Sequence, residues 1–223
     1  MSAVMFCFIV FFLFISFPKA KPAGEVSFKK TLGLFKYPAL LLFGLVLFFQ
    51  SGFEGSSGDF TVSYLTQTGR LATAAATLAM TWFTIGMLAG RLLLGGVMKK
   101  LGSVGTLYSY LGIALVGVAL FYFTGSAFGT DAAMTLIGFG VGATFPVILN
   151  YVGGTFRNLS GTAISIAVFI ALVGQFTLKK ITGVAFSNGS YVALPVVLAA
   201  AILIMMCLVP VSIKVGKNTG IQK

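Results

Sequence analysis

Apolar runs long enough to enter or cross a bilayer recur along almost the whole chain, and no other feature restricts its fold as much. They cover 1–17, about 38–66, 73–98, 103–124, 132–155, 160–185 and 191–213. Inside hydrocarbon every backbone N–H and C=O must find its partner within the protein, so only helices or a closed barrel can span. No run alternates as a barrel strand does. The expected fold class is therefore all-α membrane, a polytopic helical bundle. The links between runs are short: Thr68-Gly69-Arg70, Lys99 to Gly102, Gly125 to Asp131, Arg157 to Gly161 and Ser187 to Ser190. Asn188-Gly189 is a tight-turn signal. They leave no room for a soluble domain.

Composition narrows the function. Of 223 residues, 58% are hydrophobic and 9% charged, against about 25% charged in soluble domains. There is no histidine, and four acids stand against fifteen Lys and Arg. A metal centre, a general-base histidine and a carboxylate pair all lack their residues. We therefore expect no enzyme, catalytic residue, metal or cofactor. Cys7 and Cys207 both lie in apolar runs and carry no redox signal. The net charge of +11 belongs to membrane topology before nucleic acid. If the 18–36 stretch is cytoplasmic, that side holds Lys19, Lys21, Lys29, Lys30, Lys36, Arg91, Lys99, Lys100, Arg157, Lys214, Lys217 and Lys223. The other side holds Arg70, Lys179 and Lys180. That bias predicts the amino end outside and the carboxyl end in the cytoplasm.

Residues 1–17 would be about 25 Å long as a helix, just short of the usual span. The run has no basic segment before it, as a signal peptide would. It is expected to be the end of a spanning helix, followed by a loop over 18–36, a six-helix body over 37–213 and a tail over 214–223.

Three stretches carry chemistry. In the first, Phe48-Phe-Gln-Ser-Gly-Phe-Glu-Gly-Ser-Ser-Gly-Asp59, an apolar helix acquires Gln50, Glu54 and Asp59 among Gly52, Gly55 and Gly58. An acid at membrane depth marks a solute or ion pathway by default; the plain alternative is a solvated position near the surface. The glycines predict a weakened, broken helix and allow close approach of a neighbour or a ligand. Gln50 and Glu54 are four apart and share a face. Counted from Pro38, Glu54 lies about 24 Å up the helix, in the outer third, and Asp59 about 31 Å, at the edge. Lys179, about 28 Å up the sixth span, overlaps them in height. It or Lys180 is expected close to Glu54 or Asp59; snorkelling to headgroups is the alternative.

The second stretch, Gly86-Met-Leu-Ala-Gly90-Arg91-Leu-Leu-Leu-Gly95-Gly96-Val-Met-Lys99-Lys100-Leu-Gly102, puts Gly86 and Gly90 on one face and Arg91 near the cytoplasmic interface. The third, Gly138-Phe-Gly140-Val-Gly142-Ala-Thr-Phe-Pro146-Val-Ile-Leu-Asn150-Tyr151, predicts a helix break at Gly142 and Pro146 beside a polar interior. Asn150, Tyr151 and Gln175 are candidate partners for a solute hydroxyl, or else interhelical ties. Trp82 serves packing or stacks on a sugar.

These stretches resemble the major facilitator superfamily. The Gly86–Gly102 segment is similar to its glycine-arginine signature between the eighth and ninth helices, and Gly138–Tyr151 to its tenth. Phe48-Phe-Gln-Ser-Gly-Phe-Glu-Gly resembles the seventh helix of the bacterial sugar-permease-like branch that includes fucose–proton symporters. The resemblance implies the end of helix six plus helices seven to twelve, arranged as inverted three-helix repeats, with the first five helices missing. It also implies alternating-access transport of a small polar solute such as a sugar, with proton coupling, in a bacterial inner membrane. Expected partners are the lipid bilayer, the solute and an amino-terminal half or a second copy, and not nucleic acid. The rival reading is a non-transporting seven-helix sensor or receptor; a retinal protein would need a lysine in the last span, and none lies between Val192 and Val209.

Overall fold

The computed structural model describes Phe6, Val10, Phe11 and residues 33–218. Apart from Phe6, Val10 and Phe11, the expected first span lies outside the described residues, as do most of the lysine-rich stretch after it and the last residues of the tail. Phe6, Val10 and Phe11 are helical and belong to a separate unit that ends at Gly33; everything below concerns the unit from Leu34 onward.

That unit has helices and short turns and no strand among its described residues, with five helices long and apolar enough to cross a membrane. Helix α1 spans Pro38–Gln67 and starts with proline in its first turn, where the missing N–H costs nothing. It stops at Thr68 and at Gly69, whose φ of 67° suits a residue without a Cβ. Helix α2 runs Thr73–Phe123, 51 residues, but Gly102 interrupts it with φ 67° and ψ 172°. The two arms fold back on each other, since the Tyr110 hydroxyl on the second donates to the Gly90 carbonyl on the first at 2.9 Å. The two arms are the expected third and fourth spans. Lys99 to Leu101 continue the first arm rather than forming a loop, and Gly102 makes the turn.

Helix α3, Ala127–Val141, is capped by Ser126, whose hydroxyl accepts from Gly129 N–H at 3.1 Å. It begins earlier than the expected 132. Helix α4, Thr144–Thr155, continues it after the offset at Gly142 and Ala143. Pro146 cannot donate to the Gly142 carbonyl, so the expected break falls where the backbone ladder is weakest. A 3₁₀ turn at Arg157–Leu159 leads into α5, Ser160–Ser187, and a turn with Gly189 at φ 76° leads towards α6, Ala193–Asn218.

Helix α1 contradicts one expectation. It is continuous through Gly52, Gly55 and Gly58. Two of the three do let a neighbour, α5, approach: a Cβ at Gly52 would meet Leu178 and the Gly174 carbonyl, and one at Gly55 would meet Gln175 and Lys179. Gly58 faces open space. Close packing on a neighbour compensates the low helix propensity of glycine.

Packing crosses the chain order. α1 lies chiefly against α5 and α6, and α3 lies between the two arms of α2. Both close pairs are parallel. Gly44 meets Ile170, and Gly174 meets Phe48, so register advances together along α1 and α5. Gly138 meets Phe83 and Gly142 meets Met87, which does the same for α3 and the first arm of α2. Phe43, Thr155 and Gly216 gather at one end of the bundle. Arg70 meets the carboxyl end of α2 at the other.

Candidate functional site

The residues singled out in α1 separate onto two faces, because five positions of helix turn a side chain by roughly 140°. Gln50 and Glu54 look one way and Asp59 another.

On the first face Gln50 is fully buried. Its Nε2 donates both to Glu54 Oε1 at 2.9 Å and to the Val141 carbonyl at 3.0 Å. Val141 is the last residue of α3, directly before the offset, so a side chain of α1 completes the backbone where the α3–α4 ladder is interrupted. Gln50 Oε1 and the nearby chain position Thr144, through its Oγ1, are buried without a hydrogen-bond partner.

Glu54 also meets Arg91, with Oε1 and Nη2 4.0 Å apart. Helix α1 has 30 residues, about 45 Å, and Glu54 lies near the middle of its length, about 24 Å from Pro38. Arg91 lies about 12 Å along the first arm of α2 from Lys99. The Arg91 side chain stays 49% exposed and that of Glu54 28%. A charged pair is therefore displayed part-way along α1 and the first arm of α2.

On the second face Lys179 Nζ lies 2.7 Å from Asp59 Oδ2. Of the lysine–acid contacts that helical height allows, this is the one formed. The Lys179 stem and Gln175 both pack over Gly55, which makes Gln175 an α1–α5 contact. Lys179 is 30% exposed and Asp59 54%, so the pair lies on the surface of the bundle and not in its core.

Asn150 and Tyr151 do not join either cluster. They line a separate cavity towards the end of the bundle, with Phe43, Arg157 and Lys217. Tyr151 stacks on Phe43, ring centroids 6.0 Å apart. Gly86 and Gly90 do act as close-approach points: a Cβ at Gly86 would strike the Thr135 carbonyl, and one at Gly90 the Phe139 carbonyl. Trp82 is part-exposed on the first arm of α2.

Comparison with protein-family models and with curated proteins gives no match.

Of three groups that the sequence did not single out, two complete helix breaks and ends. The Tyr108 hydroxyl donates to the Met206 carbonyl at 2.9 Å, the acceptor that Pro210 cannot serve four residues later. The Tyr110 hydroxyl instead ties the two arms of α2, donating to the Gly90 carbonyl inside a continuous stretch of helix. Arg70 donates from Nη1 to the carbonyls of Phe121, Tyr122 and Thr124, and lies over the Tyr64 ring. The prolines point to an orphaned carbonyl four residues before them; which neighbour answers is set by packing alone. Among the described residues no three His, Cys, Asp or Glu side chains gather as a metal site.

Proposed function

We propose that this chain is the carboxyl-terminal half of a major-facilitator-type secondary transporter that moves a small polar solute, a sugar or a similar polyol, by alternating access. The observation that carries the reading is the part-exposed Glu54–Arg91 pair near the middle of the long apolar helix α1. An arginine at the centre of hydrocarbon costs about 3 kcal/mol. The pair belongs against water or against another protein wall, and a solute pathway between two halves supplies both.

Two further features support it. The helices fall into two sets of three, α1 with the arms of α2, and α3–α4 with α5 and α6, whose starts lie about 90 residues apart. The leading helices α1 and α3–α4 run in opposite directions and exchange partners, each lying parallel to the second helix of the other set. That is how inverted repeats pack, and the leading helices carry the site. Lys36, Lys99, Lys100, Arg157, Lys214 and Lys217 all fall at the Phe43 end, which supports a cytoplasmic carboxyl end in a bacterial inner membrane. The second wall is an amino-terminal half or another copy of the chain, and proton coupling would use Glu54.

The test is water access followed by flux. In a variant lacking Cys7 and Cys207, Glu54→Cys should react with a membrane-impermeant thiol reagent at least tenfold faster than Val116→Cys, an exposed apolar position on the second arm of α2. Equal, slow reaction at both would mean that Glu54 faces lipid, and the proposal would fail. Counterflow of labelled galactose or fucose in proteoliposomes should drop at least tenfold in Arg91→Gln. Saturable sugar binding with no flux would favour the sensor.

A further inference from the structure

A cavity of about 360 Å³ opens at the basic end of the bundle, between α1, α4 and α6. Its floor is apolar: Phe43, stacked on Tyr151, and Ile213. Its rim is polar and cationic, with Asn150, Thr155, Arg157 and Lys217. Arg157 and Lys217 are exposed, and among the described residues neither forms an ion pair. Glu54 and Asp59 are held elsewhere, by Arg91 and Lys179. The carboxyl ends of α4 and α6 each bring about half a negative charge to the cavity. Two full cations outweigh them and leave the rim positive.

Phe43 lies about 10 Å along α1 from Gln50, so this cavity is distinct from the Glu54–Arg91 face. Its chemistry is also different. It pairs two donors of charge with an amide, a hydroxyl and an apolar floor, in a bundle built for lipid. The geometry points to a binding site for a phosphate monoanion with an apolar or polyol remainder, such as the headgroup of an anionic phospholipid. Arg157, with its fork of donors, holds the phosphate oxygens; Lys217 adds a point charge from the opposite wall. Asn150 and Thr155 are left to hydrogen-bond a glycerol or ester oxygen. Basic pockets between membrane helices commonly take anionic headgroups.

The experiment uses the full chain in nanodiscs of phosphatidylcholine with increasing phosphatidylglycerol, reading thermal unfolding and the lipid retained on the protein by native mass spectrometry. The double variant Arg157→Gln/Lys217→Gln should bind phosphatidylglycerol about 30-fold more weakly, at about 1 kcal/mol per basic residue near an anionic surface. Lys99→Gln/Lys100→Gln removes the same charge from the same end without touching the cavity and should change binding less than threefold. A second variant keeps both cations: a Cβ at Gly154 meets nothing within 4 Å, so Gly154→Met fills the cavity and should lose the bound lipid with the fold intact. Glycerol 3-phosphate added to pure phosphatidylcholine discs distinguishes the source. Protection at millimolar concentration would assign the site to a soluble phosphate ester, and protection by phosphatidylglycerol alone would assign it to lipid. Equal loss in the two charge pairs, or full retention in Gly154→Met, would overturn the site.

Discussion

At the scale of single residues, this protein uses side chains to answer backbone carbonyls that its helices leave open. Gln50 does so at Val141, Tyr108 at Met206 and Arg70 at the end of α2. Each is a donor that cannot be dropped without stranding an acceptor away from water. Gln50→Leu removes the bonds to both Val141 and Glu54 and should destabilise the protein by about 2 kcal/mol, since a stranded buried group costs about 1–3 kcal/mol. Its melting temperature in detergent should fall accordingly, and an unchanged value would mean that the α3–α4 offset is satisfied some other way. Arg70→Ala takes the charged donor from three carbonyls. A charge-assisted bond contributes about 1.5–3 kcal/mol, so Arg70→Ala should cost at least as much as Gln50→Leu in the same assay. Arg70→Lys should recover only part, because one ammonium replaces a planar fork.

At the scale of elements, glycine decides which helices touch. The parallel pairs α1–α5 and α3 with the first arm of α2 approach so closely that a methyl group at Gly86, Gly138 or Gly174 would meet backbone atoms of the neighbour. Backbone cannot move aside as a flexible side chain can. Gly138→Ala should lower stability by about 1–3 kcal/mol. Gly95→Ala, on the same arm as Gly86 with nothing within 4 Å of its Cβ, should be neutral or gain up to about 1 kcal/mol from helix propensity. Comparing the two by thermal unfolding checks whether glycine here serves packing or merely softens a helix. Gly102 is a different case: its φ of 67° reverses the chain between the arms of α2, so Gly102→Ala strains the turn itself.

At the scale of the whole unit, charge is sorted by end. The links around Lys99 to Gly102 and around Asn188-Gly189 lie at opposite ends of helices that cross the bundle. In sealed vesicles of one orientation, cysteines introduced by Lys100→Cys and Gly189→Cys, with Cys7 and Cys207 replaced, should react with impermeant maleimide from opposite sides. Labelling from the same side would break the proposed topology. Two of the six basic residues at the Phe43 end, Arg157 and Lys217, also give the cavity there its positive rim, so topology and the inferred headgroup site share residues.

How much of this is legible in the sequence follows from the range of the forces involved. Hydrophobic length and the demand for internal hydrogen bonds are local properties, so the helices, their approximate ends and the turns at Gly69, Gly102 and Gly189 can be read from the chain. So can the shared face of Gln50 and Glu54, four residues apart, and the break before Pro146. Contacts between helices are not local. That α1 stays whole across Gly52, Gly55 and Gly58, that Asp59 and not Glu54 takes Lys179, and that Arg91 meets Glu54 all depend on which helices lie side by side. That choice is made by small-residue surfaces fitting together over many residues, and only the tertiary structure records it.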